Sequence, residues 1–291
     1  MTREDPRPTQ PRDATAWAQR LGLPRLEAQM LLLHVLGRAP HERAWLLAHD
    51  DGALPPGAFA AFEALCERRL AGEPVAYLVG RKAFYGLDLF ITPHVLDPRP
   101  DTETLVDWAL EAAAPLAAPR IADLGTGSGA VALALQAQRP DAIVTAIDRS
   151  PEALDVARRN AAHLRLPIRL RQGDWLQGLE ERFDLIVSNP PYIAEGDPHL
   201  QALGHEPRMA LTSGADGLDA IRRIIAQAPA HLPPGGWLLL EHGHDQAAAV
   251  RALLSARGFA RVQSRDDLAG IARCSGGAIP LGTAARGPVM E

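Results

Sequence analysis

The sequence predicts an α/β domain preceded by a small helical domain, with a β-hairpin between the two. Three observations support this prediction. Before residue 75 the apolar residues recur at helical spacing, whereas from Arg120 onward short apolar runs alternate with helical stretches. A segment with three alternate glycines follows the first of those apolar runs, at the place where α/β domains bind their ligands.

Length and composition agree with a globular protein of two domains. The chain has 291 residues, of which 47% are hydrophobic, and its formal net charge is −5. About two domains with ample buried cores are therefore expected. The negative net charge argues against a broad nucleic-acid-binding surface, so the expected partner is a protein or a small molecule.

The sequence also excludes several kinds of site and location. Cys66 and Cys274 are the only cysteines and lie far apart, which excludes a disulfide framework and a cysteine-rich zinc site. The N-terminus lacks an apolar signal core, and no apolar run approaches the roughly 18 residues of a membrane span. We therefore expect a cytoplasmic protein without a metal site or a membrane contact. We also expect a monomer that binds no nucleic acid stably.

Residues 1–74 are expected to form the helical domain. The first 13 residues carry three prolines among polar residues and should form a loose tail. Short helices follow, indicated by apolar residues at helical spacing and by glycines that end each segment. They are predicted at 14–21, between 24 and 37, at 45–49 and at 56–70.

Residues 75–99 are expected to form a β-hairpin linker. Apolar residues alternate at 75–79 and again at 87–91, with two glycines between the runs. Prolines then lead into a helix that should begin near Asp101 or Thr102.

Residues 100–280 are expected to form the α/β domain, and residues 281–291 a disordered tail. Short apolar runs rich in β-branched residues indicate its strands, and Ser150 followed by a proline indicates a helix start. The strands are predicted at 121–124, 143–147, 168–170, 185–188 and 238–241, with two more near residues 262 and 278. The helices are predicted at 130–138, 151–163 and 217–231, and from beyond residue 246 to 256.

The segment 123–130 is a candidate cofactor loop. Its glycines let the backbone approach a ligand closely, and the helix that begins there offers free amides to a negatively charged group. Asp148 ends the next strand, 19 residues after Gly129, and is placed to accept both hydroxyls of a ribose. A nucleoside-containing cofactor is implied. The candidate binding residues of the loop are Asp123, Gly125, Thr126, Gly127, Ser128 and Gly129.

The glycine spacing also fits a dinucleotide, so the choice of cofactor depends on neighbouring residues. Asp123 would repel a pyrophosphate but would attract the ammonium and sulfonium charges of S-adenosylmethionine. After the third predicted strand, Asp174 suits the amino group of adenine and Trp175 suits stacking. These residues favour methyl transfer over hydride transfer.

A second candidate site begins where the strand predicted at 185–188 ends. Pro190 and Pro191 remove two successive backbone donors and hold Asn189 extended at the carboxyl end of the strand. The side-chain carbonyl of Asn189 and the backbone carbonyl of Pro190 are then neighbouring acceptors, which suit an NH2 group. Tyr192 follows as a flat face for stacking. This segment would orient an amide or aryl amine toward an electrophile without a strong base.

Together the two candidate sites resemble those of class I S-adenosylmethionine-dependent amino-methyltransferases, which act on DNA adenine, ribosomal RNA guanine or protein glutamine. Other segments resemble the PrmC/HemK family of bacterial peptide-chain release factor glutamine N5-methyltransferases. These segments are 72–80, 84–87, 98–103 and 240–243. The resemblance covers about residues 14–275 and implies a Rossmann-like class I methyltransferase fold.

In that family the substrate is the glutamine of the Gly-Gly-Gln loop of class I release factors, and the products are N5-methylglutamine and S-adenosyl-L-homocysteine. The resemblance implies that the glycine loop, Asp148, Trp175 and Asn189 bind S-adenosylmethionine. It also implies that residues 189–192 hold the substrate amide, with Asn189, Pro190 and Tyr192 as the candidate catalytic residues. The N-terminal helices and the hairpin would dock the release factor, and residues 206–217 would pack over the site.

Three alternatives remain open at this point. A sister enzyme that methylates a glutamine of a ribosomal protein would share nearly every site residue. In a nucleic-acid amino-methyltransferase, Tyr192 would stack on a flipped base, and a basic cluster at residues 158–171 would face the nucleic acid. A module that binds release factors without transferring a methyl group is the third alternative, although the intact glycine loop and Asn189 argue against it.

Overall fold

The computed structural model describes residues 7–281, which form two compact units. The first unit extends to Arg81 and includes Ala202–His205, and the second comprises Lys82–Gln201 and the described residues from Glu206 onward. The ends of the predicted tails, 1–6 and 282–291, lie outside the described residues.

The first unit is helical, as predicted. Its core contains three consecutive leucines, Leu31, Leu32 and Leu33, each with no exposed surface. The helices are α1 (Pro11–Arg20), α2 (Arg25–Val35), α3 (Arg43–Ala48), α4 (Ala58–Leu70) and α5 (Val75–Val79).

The prediction of a loose tail over residues 1–13 is wrong for its last three residues. Helix α1 begins at Pro11, because proline at the first helical position lacks a donor that would be unpaired there anyway. Burial of Ala14 and Ala18, both with no exposed surface, holds the helix against the core.

The β-hairpin predicted from residue 75 is also wrong in its first strand. Residues 75–79 form the helix α5, in which Ala76 and Leu78 are buried as well as Tyr77 and Val79. The apparent alternation arose because the intervening residues are also apolar. Gly80 ends the helix in the left-handed conformation, and the hairpin itself consists of β1 (Arg81–Phe84) and β2 (Leu87–Phe90).

The second unit contains the predicted α/β sheet. The strands that follow β2 are β3 (Arg120–Leu124), β4 (Ile143–Asp148), β5 (Arg169–Gln172), β6 (Leu185–Ser188), β7 (Trp237–Glu241), β8 (Ala260–Asp266) and β9 (Ala272–Ala278). They form a seven-stranded sheet in the order β5-β4-β3-β6-β7-β9-β8. The first five strands of that order are parallel, and β9 pairs antiparallel with both β7 and β8.

Helices connect the strands close to where the sequence predicts them. They are α6 (Glu103–Ala113), α7 (Ala130–Gln138), α8 (Pro151–Leu164), α9 (Asp219–Gln227) and α10 (Ala247–Ala256), with short 3-10 turns at Pro100–Thr102, Pro198–Leu203, Arg208–Ala210 and Ala228–Ala230. The Ser150 side chain caps α8 by accepting a hydrogen bond from the Ala153 amide at 3.1 Å.

The strand order places the two candidate segments side by side. The chain runs from β3 outward through β4 and β5, then returns to the other side of β3 as β6. The carboxyl ends of β3 and β6 therefore flank the point where the strand order reverses, which is where open α/β sheets form a ligand crevice. The glycine loop follows β3, and Asn189 follows β6.

The structure also describes the two cysteines and the lengths of the helices. Cys66 and Cys274 are both free and buried. Among the helices within residues 7–281, none is long and apolar enough to cross a membrane.

Candidate active site

A cavity of about 350 Å³ opens at the carboxyl edge of the sheet. Its walls come from the glycine loop, the ends of β4 and β5, the segment after β6, and a later stretch around residues 207–213. The predicted site residues that line it are Asp123, Gly125, Thr126, Gly127, Ser128, Asp148, Asp174, Trp175, Asn189 and Pro191.

The glycine loop is held open by backbone hydrogen bonds to β4. The Gly125 and Thr126 amides both donate to the Ile147 carbonyl, at 2.8 and 3.0 Å. Gly125 has φ +70°, and a Cβ atom there would lie 3.2 Å from the Trp175 ring. Only glycine leaves this conformation unstrained and this space between loop and indole open.

Gly129 has a packing role rather than a place in the cavity wall. Its φ is +82°, and a Cβ atom would lie 3.2 Å from both Ala157 Cβ on α8 and Leu133 Cδ1 on α7. The missing side chain lets α7 start close against α8.

Asp123 is 2% exposed and stabilises the glycine loop through hydrogen bonds. Its Oδ2 accepts hydrogen bonds from the Thr126 hydroxyl at 2.6 Å and from the Ala132 amide at 3.2 Å. Burial raises the pKa of this carboxyl to about 6, although the two hydrogen bonds oppose that shift and the nearby Asp148 carboxylate adds to it. A positively charged ligand beside it would favour the ionised form.

Asp148 and Asp174 both have protein partners. The two oxygens of Asp148 accept from the Gly127 amide and the Ser150 amide, each at 2.9 Å. Asp174 Oδ2 forms an ion pair with Arg223 at 2.5 Å. Each carboxylate oxygen has a second lone pair, so these contacts orient the two side chains without using all their acceptor capacity.

The Asn189 amide is anchored at its nitrogen end. Its Nδ2 donates to the Thr102 hydroxyl at 3.1 Å. Within residues 7–281, neither Asn189 Oδ1 nor the Pro190 carbonyl accepts a hydrogen bond. The two acceptors predicted from the sequence are therefore adjacent along the chain and not engaged by the protein.

Tyr192 and Pro190 are the two residues of the 189–192 segment that do not line the cavity. Pro190 is buried. The Tyr192 ring packs against the core beneath the sheet edge, and its hydroxyl donates to Glu241 Oε1 at 3.4 Å. Stacking of the Tyr192 ring on a planar substrate group stays a prediction, while the contact with the apolar core fixes the position of the ring.

The segment around residues 216–217 lies close to the Tyr192 backbone. Gln246 Nε2 donates to the Tyr192 carbonyl at 2.9 Å and to the Asp216 carbonyl at 3.3 Å. At Gly217, which has φ +76°, a Cβ atom would lie 2.2 Å from the same Tyr192 carbonyl oxygen. The close approach of these two backbone segments therefore requires glycine.

Several residues of the site were not predicted as site residues. Thr102 lines the cavity, and Glu241 lies buried behind it at the end of β7. Arg99 forms an ion pair with Glu206, whose side chain is buried just before the stretch around residues 207–213. A Thr at a predicted helix start usually indicates a helix cap, and a Glu at the end of an apolar strand usually indicates a surface residue. Neither pattern therefore identifies Thr102 or Glu241 as a site residue.

Family models match the two units separately. The model described as "Methyltransferase small domain" matches residues 102–256. The model described as "PrmC N-terminal domain" matches residues 15–80.

Close relatives match the chain through nearly its whole length. A "Release factor glutamine methyltransferase" of Bordetella pertussis is 55% identical over 260 residues, which cover 88% of this chain and 95% of the relative. A protein of the same description from Burkholderia pseudomallei is 53% identical over 265 residues, covering 88% of this chain and 92% of the relative.

Solved structures of other methyltransferases are similar to this chain in fold. A 16S rRNA N2 methyltransferase of T. thermophilus, in complex with AdoMet and guanosine, has a TM-score of 0.53 at 21% sequence identity. The match covers 68% of this chain and 49% of that protein. It supports a Rossmann-like methyltransferase fold for the second unit.

Proposed function

The chain belongs to the release factor glutamine methyltransferases, and from that premise we propose how its own residues perform the reaction. The enzyme transfers a methyl group from S-adenosylmethionine to the side-chain amide nitrogen, N5, of the glutamine in the Gly-Gly-Gln loop of class I release factors. The observation that carries the mechanism is the pair of unengaged acceptors, Asn189 Oδ1 and the Pro190 carbonyl.

The cavity has the chemistry that the cofactor requires. S-adenosylmethionine, when bound, supplies an electrophilic methyl group on a positively charged sulfur. Gly125 leaves a space beside the Trp175 indole that a Cβ would fill, which suits a flat base or a ribose in close contact. Asp148 would hold the ribose hydroxyls, and Asp123 would lie near the positive charges.

The substrate amide is positioned rather than deprotonated in this mechanism. An amide nitrogen is a weak nucleophile because its lone pair is delocalised into the carbonyl. Two N–H groups that donate to Asn189 Oδ1 and the Pro190 carbonyl would fix the nitrogen and stabilise the positive charge that develops on it. The methyl group would pass from the cofactor sulfur to this nitrogen in one displacement, and the amide proton that is lost would go to solvent.

The remaining parts of the chain have supporting roles in this proposal. The helical first unit and the hairpin would dock the release factor, and the α/β unit would carry out the transfer. The second product would be S-adenosyl-L-homocysteine. The enzyme would act as a monomer in the cytoplasm, where release factors work.

The basic cluster gives little support to a nucleic-acid substrate. Arg158 forms an ion pair with Asp155, and Arg171 lies 3.9 Å from Glu181. The Arg159 guanidinium stacks over the Phe90 ring at 3.7 Å. Paired arginines on a solvated face are a weak basis for binding phosphates.

A labelled-methyl assay tests the function. The purified chain is incubated with S-adenosylmethionine and one of four acceptors: a class I release factor, the same factor with its loop Gln→Ala, a ribosomal protein, or RNA. The proposal predicts label on the intact release factor and none on the Gln→Ala factor. Label on RNA alone, or on the ribosomal protein alone, would overturn it.

The affinity for S-adenosylmethionine should depend on pH through Asp123. The pKa of this carboxyl is raised to about 6, so it is ionised at pH 8 and gains a proton as the pH falls through that value. A cationic ligand favours the ionised form, and the Kd should therefore rise by up to about tenfold per pH unit below pH 6. Calorimetry from pH 8 to pH 5 measures this dependence.

Asp123→Asn is the matched control for that measurement. The Asp123→Asn variant should bind S-adenosylmethionine more weakly at pH 8, and its Kd should lose most of the pH dependence. An unchanged slope in the variant would assign the titration to another group.

Gly217→Ala should slow transfer by at least about tenfold, because the Tyr192 backbone must move to admit a side chain. Initial rates at saturating S-adenosylmethionine with a release factor measure the effect. Gly196→Ala is the control, since a Cβ there meets nothing within 4 Å. Equal rates for the two variants would show that the 192–217 contact does not shape the site.

A further inference from the structure

The turn between β8 and β9 presents a continuous run of apolar residues to solvent. Residues 268–271, Leu-Ala-Gly-Ile, are all exposed and carry no polar side chain, and we call them the apolar turn. Leu268 is fully exposed, and Ile271 is 38% exposed. Single exposed apolar residues are common on protein surfaces, whereas a run of four generally indicates a functional contact.

Asp267 fixes the shape of the apolar turn. Its Oδ1 accepts hydrogen bonds from the Ala269 amide at 2.8 Å and from the Ile271 amide at 3.0 Å. The Asp267 amide donates to the Ile271 carbonyl at 2.8 Å, and the Asp267 side chain is buried. The backbone that displays Leu268 is therefore preorganised, and a turn of this kind loses little conformational entropy when a partner binds to it.

The strand register places the apolar turn beside the opening of the cavity. Strand β9 runs antiparallel to β7, so it begins at the carboxyl edge of the sheet. The register of β6, β7 and β9 puts Asn189, Glu241 and Cys274 at one level of the sheet. Ile271 precedes Cys274 by three residues, which puts it roughly 10 Å beyond that level. Since β9 is two strands from β6, the lateral separation from Asn189 is also about 10 Å.

Ion pairs connect the apolar turn to the wall of the cavity. Arg273 Nε lies 3.0 Å from the Asp267 carboxylate and 3.3 Å from the Asp101 carboxylate. Asp101 directly precedes Thr102, which lines the cavity and accepts a hydrogen bond from Asn189. The turn is thereby fixed relative to the residues that would hold the substrate amide.

The reach of a glutamine side chain indicates what covers the apolar turn. An extended glutamine spans about 5 Å from Cα to the side-chain nitrogen, and a hydrogen bond to Asn189 Oδ1 adds about 3 Å. The backbone of a bound substrate loop therefore lies within about 8 Å of Asn189, close to the height of the turn. A protein that carries this loop must bring its surface against the turn, whereas a small molecule in the cavity would not reach it.

We infer that the apolar turn is a docking contact for the release factor, which covers Leu268 and Ile271 with apolar side chains next to its Gly-Gly-Gln loop. This inference rests on the proposed function, because that function supplies the protein whose loop enters the cavity. The contact lies in the α/β unit and adds to the docking proposed for the helical unit and the β1–β2 hairpin.

Leu268→Ser tests the contact by kinetics. The fully exposed side chain contributes little to the fold, so the Tm and the Kd for S-adenosylmethionine should stay unchanged. The KM for a release factor should rise about tenfold, because the leucine no longer buries apolar surface against the factor. The kcat at saturating factor should stay within about twofold, since the contact is equal in the ground state and the transition state.

Two further variants serve as controls for Leu268→Ser. Leu268→Met keeps an apolar side chain and should leave the KM within about twofold. Leu281→Ser also removes an exposed leucine, which is 78% exposed and lies beside Gly235 before the start of β7, at the opposite edge of the sheet. It should leave the KM unchanged. An unchanged KM in Leu268→Ser, or an equal rise in Leu281→Ser, would overturn the inference.

Cross-linking tests the contact without methyl transfer. Cys66 and Cys274 are the only cysteines and both are buried, so Leu268→Cys introduces a uniquely exposed thiol. With benzophenone maleimide on this thiol, light should cross-link the enzyme to a release factor in the presence of S-adenosyl-L-homocysteine. The same label on Leu281→Cys should give no such product. Cross-linking only to a second copy of the enzyme, or no cross-link from position 268, would overturn the inference.

The failure of this inference is distinguishable from the failure of the proposed function. If the unmodified enzyme did not methylate a release factor, the proposed function would fail and the docking contact with it. If the unmodified enzyme methylated the factor and Leu268→Ser had the same KM, only the docking contact would fail.

Discussion

Asn189→Ala is expected to abolish methyl transfer to a release factor, with a loss of at least about 1000-fold in kcat. The substitution removes one of the two acceptors that hold the substrate NH2, together with the group that anchors to Thr102. Because the residue acts mainly on the acceptor amide, the Kd for S-adenosylmethionine should stay within about tenfold. Single-turnover rates and calorimetry measure the two quantities.

Gln263→Ala is a suitable control for Asn189→Ala. It also removes a side-chain amide, but from the exposed face of β8, outside the residues that line the cavity. It should leave both the rate and the affinity unchanged. If Asn189→Ala lost cofactor affinity as severely as activity, Asn189 would be a cofactor ligand first and a substrate ligand second.

Gly125→Ala should weaken S-adenosylmethionine binding by at least about tenfold. The new Cβ atom would lie 3.2 Å from the Trp175 ring, so the indole or the loop must move within the cavity that the cofactor occupies in our proposal. Calorimetric titration with S-adenosylmethionine measures the effect.

Gly178→Ala is a matched control for the backbone strain in Gly125→Ala. Its φ is +71°, close to the +70° of Gly125, but a Cβ there meets nothing within 4 Å. Both variants should lose about 1 kcal/mol or more in the free energy of unfolding, and only Gly125→Ala should lose affinity. Equal affinities in the two variants would show that the space beside Trp175 is not part of the cofactor site.

Much of the second unit could be predicted from the sequence because its signals are local. Strand β6 has the predicted bounds, since a buried apolar run ends there at two prolines that cannot pair. The cap at Ser150 and the helix after the glycine loop also follow from neighbouring residues.

The errors arose where local patterns are ambiguous. Residues 75–79 read equally as an alternating strand or as one apolar helical turn, and only burial on all sides decides between them. Helix α1 begins in a proline-rich stretch that resembled a tail, because its stability comes from packing against later helices.

The contact between Asn189 and Thr102 could not be derived from sequence patterns. Asn189 follows β6 and Thr102 directly precedes α6, so the two residues meet only when the fold has formed. The same is true of Tyr192, whose position next to a predicted site suggested an exposed ring, whereas the fold turns the ring toward the core.

The most direct test of the account is a structure of this enzyme with S-adenosyl-L-homocysteine and a release factor bound. The account predicts that the side-chain nitrogen of the loop glutamine lies within hydrogen-bonding distance, about 3 Å, of both Asn189 Oδ1 and the Pro190 carbonyl oxygen. A glutamine nitrogen that contacts neither oxygen, with those oxygens bound instead by donors of the enzyme itself, would contradict it.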